Sequence, residues 1–447
     1  MDTAVLAHDL GHAHLEGDVI DRNHAHYDRL RRVWNAMADR RPAAVVRARS
    51  GADVQKVVAV AAKHEALLAV RGGGHSIPGL STCDHGIMLD LSLMNAVAVD
   101  RFARRAEVQG GALLGDLDSA GAPAGLVVPA GVVSHTGVAG LTLGGGMGWL
   151  SRRFGLTIDS LLAVDIVTAD GQLRHISADA EPDLFWAIRG GGGNFGVVTK
   201  FTFRMHPLGQ VLVGSWTYPV GEAGAVLRRY RELAVAAPRE LTSGFVFTSG
   251  GLVMTAVWSG ASNPSEAAVA RFGGLGRPTS ASIGGVTFLD LQRRSDDRMA
   301  WNRRYYAKGG YLQAVDDRAV DRMVEAIASS PAPDAECLVL QLGGAVSDID
   351  DEATPYTGRA AGHYWLVESA WDHKADDERV IAWSRTTAGW LAEVSMRGNY
   401  VNEQGDFGKE IALNAYGEKK YGRLAKLKAQ YDPGNLFRLN QNIEPRP

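Results

Sequence analysis

Residues 67–79 read Leu67-Leu68-Ala69-Val70-Arg71-Gly72-Gly73-Gly74-His75-Ser76-Ile77-Pro78-Gly79. A short apolar run predicts a strand, and it empties directly into three glycines and a histidine. Glycines at that point strip side chains from the backbone, so successive N–H groups can converge on phosphate oxygens. A pyrophosphate suits such a loop. Two further runs, at 137–148 and 190–196, concentrate glycine in the same way, and the chain holds 53 glycines in 447 residues where average usage is about 7%. With no low-complexity linker among them, backbone is held close against something at several places.

Two phosphate-binding motifs are excluded. No Gly-Lys-Ser/Thr follows any glycine run, which removes a Walker-type loop. Gly191, Gly193 and Gly196 match the spacing of the dinucleotide fingerprint, but a helix is expected before them and a strand after. The helix N-terminus that should meet a pyrophosphate is therefore missing, and a nicotinamide-dependent reductase is disfavoured.

The length predicts two domains with room for a large cofactor. A net charge of -3 gives no electrostatic reason to expect nucleic acid or an anionic membrane as partner, and no apolar run reaches the roughly 18 residues of a membrane span. Cys83 and Cys337 alone exclude a disulfide framework and a cysteine-built zinc site. The polar start of the chain lacks the apolar core of a secretory signal, so a cytoplasmic protein is expected. His8, His12, His14, His24 and His26 include two His-x-His pairs, but nothing completes a metal site; a mobile, solvated leader is expected and no metal.

Outward from the first loop, apolar spacing predicts a helix over 52–64, strands over 87–91, 97–100 and 105–108, and a hairpin of 161–169 with 172–176 turning at Asp170-Gly171. A short helix at 182–188 and a strand at 197–205 follow. From about residue 208 longer alternating strands predict an antiparallel sheet with helices on one face: strands 244–248, 252–258, 338–343 and 363–371, helices 264–272, 317–329 and 376–394. A helix over 416–431 is stopped by Asp432-Pro433-Gly434. The class is α+β.

Several long stretches carry a resemblance: 71–79, Asp90-Leu91-Ser92-Leu93-Met94-Asn95, 137–162, 183–201 and 431–443. In this order they resemble the FAD-linked oxidases of the berberine bridge enzyme type, within the vanillyl-alcohol oxidase and p-cresol methylhydroxylase fold family. The resemblance covers the cofactor half nearly end to end. It implies an N-terminal leader and first helix (1–36), a p-cresol methylhydroxylase-type FAD-binding domain of two α/β subdomains (37–207), a substrate domain (208–395), and a C-terminal segment returning to the FAD domain (396–447).

It also implies FAD joined through its 8α carbon to His75, with Arg71, Gly72, Gly73, Gly74, Ser76 and Gly79 around the pyrophosphate. Val133 stands where some members carry a second, cysteinyl link, so one bond is expected. Thr136 lies where the family has a residue gating oxygen, and Gly137, Gly140, Gly144, Val198, Asn440 and Asn442 are expected beside the cofactor. Cys83 is expected to be a buried filler. The reaction implied is hydride transfer from a small alcohol, amine or secondary metabolite to flavin N5, with O2 as acceptor and hydrogen peroxide as product. Rivals are a dehydrogenase or oxidative-cyclisation enzyme of the same family, and a flavin-binding protein without turnover.

Tyr400-Val401-Asn402 resembles the family's Tyr-x-Asn-Tyr segment, which makes Tyr400 the first choice for base or base partner, although Glu403 replaces the second tyrosine. Glu368 interrupts an apolar, aromatic strand, where an unpaired carboxylate is costly to bury. It meets solvent, pairs with a cation such as Arg359, or serves as a tuned base. Tyr306, Lys308 and Gln341 are further cleft candidates. Neither substrate identity nor oligomeric state is legible.

Overall fold

The computed structural model describes residues 3–261 and 265–446. The first sheet orders Asp18–Asp21, Ala44–Arg47, Ile87–Asp90 and Leu68–Arg71, the last three parallel. Parallel neighbours need a crossover, and Gly51–Lys63 supplies it: Val54, Val57, Val58 and Ala61 pack at helical spacing into the same core as Ile87 and Leu89. Its start is fixed by Ser50 Oγ, which accepts from the Asp53 N–H at 3.3 Å. The first glycine loop thereby leaves the carboxyl end of a parallel strand, where open α/β sheets bind ligands.

A five-stranded antiparallel sheet follows, in the order Val97–Asp100, Arg105–Gln109, Val197–Arg204, Leu161–Val167, Leu173–Ser177. Its predicted two-residue turn is longer. Thr168 and Gln172 close a three-residue loop in which Asp170 Oδ1 accepts from both and Gly171 takes a positive φ of 74°.

The third sheet has seven antiparallel strands, ordered Ser280–Val286, Val211–Tyr218, Gly251–Trp258, Leu241–Thr248, Ala335–Gln341, His363–Trp371, Arg304–Leu312. Ala223–Val235, Asp317–Ala328 and Asp377–Ala392 contribute to one core with residues such as Trp365 and Val367. Side chains alternate across a strand, so Tyr364, Leu366 and Glu368 fall on the opposite face. The whole strand is buried, which is why its sequence shows no polar alternation.

Several expectations are corrected. The N-terminus is no solvated leader: Thr3–Gly11 is a helix that buries Leu6 and Leu10 in the core of the first sheet, an apolar pair four residues apart that a histidine-rich context masked. The last helix begins at Lys409, with a break at Gly417 (φ 66°) near the predicted start. The helix expected at 264–272 spans Ser265–Ala270 and runs into a 3-10 turn; Pro264 lies outside the described residues. Strands 211–218, 280–286 and 304–312 were not expected. The second of these is almost wholly exposed and holds Ser, Ala and Gly, which are weak strand signals.

Where the chain returns, Lys428 is fully buried, and its Nζ donates to Asn194 O (2.6 Å), Asp432 Oδ2 (2.6 Å) and Phe437 O (3.1 Å). One ammonium thus ties the third glycine run to the tail. Lys428→Met leaves Asp432 buried without its cation, and urea denaturation should show a loss of about 3–5 kcal/mol. A loss below about 1 kcal/mol would mean the tail is held by other contacts.

Candidate active site

One continuous cavity of about 690 Å³ runs from the Gly72–Ser76 loop to the inner face of the seven-stranded sheet. At the first end the N–H groups of Gly73, Gly74, His75 and Ser76 meet no acceptor among the described residues, an arrangement that suits an anion. Gly73 and Gly137 are stacked so closely that a Cβ on Gly73 would lie 2.3 Å from the Gly137 nitrogen. Only side-chain-free backbone fits on both sides there, and this agrees with a cradle for a dinucleotide.

His75 lies in the wall, its ring stacked on Trp34 with centroids 4.7 Å apart and edge-on to Trp301. Its Nε2 is 2.6 Å from His135 Nδ1. Burial, with His135 beside it, pushes the imidazole pKa down to about 3. His75 therefore keeps a free nitrogen lone pair at neutral pH. Trp34 Nε1 in turn donates to Met299 O at 2.7 Å, so the stack is braced from a distant part of the chain.

Of the residues expected at the cofactor, Gly72, Gly73, Gly74, His75 and Ser76 line the cavity, as do Val133, Thr136, Gly137 and Gly140. Val198 and Asn440 also line it. Four do not. Arg71 turns away, donating to Leu30 O (2.9 Å) beneath Trp301. Gly79 is packed against Ala38, Gly144 makes room for Asn402, and Asn442 lies behind the wall with its Oδ1 buried and without a partner.

Tyr400 and Glu368 both reach the other end. The Tyr400 oxygen accepts from the Gly146 N–H (3.0 Å) and Asn402 Nδ2 (2.9 Å). Burial, with the charge of Glu403 adding, nevertheless holds its pKa well above the usual tyrosine range, so the phenol keeps its proton. Arg359 is not the partner of Glu368: its guanidinium grips Asp159 with two bonds of 2.8 Å. Lys308 and Tyr306 converge on Asp406 and Gln341 on Ser243, and none of these three lines the cavity.

Sequence reasoning passed over Glu403 as a candidate, treating it as a departure from a pattern. It lines the cavity, and burial pushes its carboxyl up to about 7. The Arg298–Glu336 pair was missed as well; Glu336 sits across the sheet from Glu368. Burial and the Glu336 charge push Glu368 up to about 8. Register alone brings these carboxyls together, and no local motif signals it. Among the described residues no cluster of His, Cys, Asp or Glu is placed to hold a metal, and no helix is long and apolar enough to cross a membrane.

An FAD binding domain profile matches residues 42–177, and a berberine and berberine-like profile matches residues 399–444. An FAD-linked oxidoreductase of Dictyostelium discoideum is 31% identical over 96% of this chain and 95% of its own. The (R)-6-hydroxynicotine oxidase of Paenarthrobacter nicotinovorans is 31% identical over 96% and 97%. Among solved structures, 6-hydroxy-D-nicotine oxidase from Arthrobacter nicotinovorans superposes with a TM-score of 0.88 at 29% identity, covering 97% of this chain and 99% of that one.

The raised carboxyls have a consequence for stability. Glu368 and Glu403 hold protons in the folded state that the unfolded chain releases above its ordinary value of 4.5. Their contribution is full below about 4.5 and lost as pH rises through about 7 to 8. The melting temperature of the Glu368→Gln/Glu403→Gln variant should therefore fall less between pH 5 and 8.5 than that of the parent; parallel curves would show that neither carboxyl holds a proton.

Proposed function

The chain belongs to the FAD-linked oxidoreductases of the berberine bridge enzyme type, and from that premise we propose that it is an oxidase carrying FAD through a single bond from the 8α carbon to His75. The carrying observation is the half-buried, neutral His75 set in the cavity wall within the N–H cradle. In this reading the amides of residues 73–76 hold the pyrophosphate and Asn440 approaches from the returning tail. Val133 offers no sulfur for a second bond.

When bound, FAD would supply the hydride acceptor, with O2 as the final acceptor and hydrogen peroxide as the product. The chain's part is to position a small alcohol, amine or secondary metabolite and to take its proton. Tyr400, whose phenol stays protonated, orients the substrate by donating a hydrogen bond. The proton goes to a carboxyl: Glu403 and Glu368 have values near neutrality, where a general base works best. A cytoplasmic setting fits two buried free thiols, Cys83 and Cys337, the first with its pKa pushed up to about 11 by burial and hence unreactive.

Acid-precipitated protein should remain yellow with one added FAD mass, and His75→Ala should yield a colourless pellet; a colourless parent pellet would end the covalent reading. Tyr400→Phe should keep the flavin and slow its anaerobic reduction by substrate about 100-fold or more, measured by stopped flow. Unchanged reduction would remove Tyr400 from the reaction.

A further inference from the structure

Residues 287–303 connect the two edge strands of the seven-stranded sheet, Ser280–Val286 and Arg304–Leu312, and so cross its full width. This strap opens with the helix Phe288–Arg293 and places Leu291, Arg294, Ser295, Arg298 and Met299 on the cavity. Its second half is firmly anchored. Ser134 N and Oγ donate to Asp296 at 2.8 and 2.5 Å, Trp34 Nε1 donates to Met299 O at 2.7 Å, and the Asn302 N–H donates to Trp34 O at 3.2 Å.

The first half is held differently. The helix Phe288–Arg293 docks on the helix Leu114–Gly121, and across that contact two buried polar side chains meet, Asp118 and Gln292. Asp118 Oδ2 and both polar atoms of the Gln292 side chain have no hydrogen-bond partner. Buried orphans of this kind are uncommon. Neither residue lines the cavity, and the proposed reaction uses neither.

Burial pushes the Asp118 carboxyl up to about 7, with Gln292 drawing it back only in part. No charge contributes to that shift. Asp116 on the same helix, Asp100 on the neighbouring strand, and Asp290 and Arg293 on the facing helix are all exposed, and residues 122–128 behind it carry no charge. A protonated Asp118 can donate to Gln292 Oε1 and accept from Nε2, which keeps the helices docked. An ionised Asp118 has no cation to meet, and water reaches it only if the helices part.

We infer that residues 287–295 are a lid on the cavity, latched by the contact of Asp118 with Gln292 and released when Asp118 loses its proton. The exposed strand Ser280–Val286, with Gly284 in open space, supplies the hinge, while the turn from Asp296 to Asn302 stays in place. The contribution of the latch is full below the ordinary carboxyl value of 3.8 and is lost as pH rises through about 7. The cavity is thus closed in acid and opens toward mildly alkaline pH.

Hydrogen exchange of the holoprotein, read by mass spectrometry at pH 5.5 and 8 and corrected for the intrinsic rate at each pH, tests the lid. Between these values the parent should lose about tenfold or more protection over 287–295 than Asp118→Asn loses, with no such difference over 161–167. Gln292→Lys sets an ammonium opposite Asp118, and at pH 8 it should keep 287–295 more protected than in the parent. Unchanged protection of 287–295 in the parent overturns the inference whether or not a variant folds. Equal losses in the parent and Asp118→Asn, the same difference over 161–167, or a Gln292→Lys variant no better protected than the parent would each do so as well.

Discussion

Backbone lies against backbone where Gly73 meets Gly137, and the cavity depends on that contact. Any Cβ at Gly73 would strike the facing chain, so the loops either approach without side chains or do not approach. Their approach leaves consecutive N–H groups unspent in the wall. It also fixes His75 between Trp34, Trp301 and His135. A histidine on a free loop would titrate near neutrality; this one stays neutral because it is buried there.

The opposite wall obeys a different constraint. A strand buried on both faces must satisfy two neighbourhoods at once, and alternation divides the labour in His363–Trp371: Trp365 and Val367 join the core packed by the helices, while Tyr364, Leu366 and Glu368 face the cavity. Glu336 comes alongside Glu368 by register, and Arg298 is drawn to Glu336. The glycine-loop end is built to receive anionic charge, whereas the sheet end carries carboxyls in excess. One cavity thus has two ends of opposite electrostatic preference, bridged by apolar side chains.

The returning tail couples the two ends. Lys428 holds Asn194 O, Asp432 and Phe437 O in a space with no solvent, and Asn194 in turn holds the carbonyl of Gln441 and the N–H of Ile443. Asn440, between them, is thereby presented to the cavity. A fully desolvated local ion pair, with the same ammonium donating to Asn194 O and Phe437 O, makes a terminal segment part of the cavity wall.

The sequence by itself determined the α+β class, the cofactor class, the helix and strand that deliver the first glycine loop, and the helix-before-strand order around 190–196 that rules out a dinucleotide fingerprint. Those features are local: glycine runs, apolar spacing and turn residues act within a few residues of one another. Tertiary structure decided which expected residues face the cavity and which, like Arg71, Gly79, Gly144 and Asn442, stand behind it. It turned the histidine-rich start into a packed helix and paired Arg359 with Asp159. It also put Glu368 and Glu403 in one chamber, with Glu336 beside Glu368 on the neighbouring strand. That grouping depends on strand register and burial between segments far apart in the chain, and electrostatic cost is set by where a charge ends up, not by its neighbours in sequence.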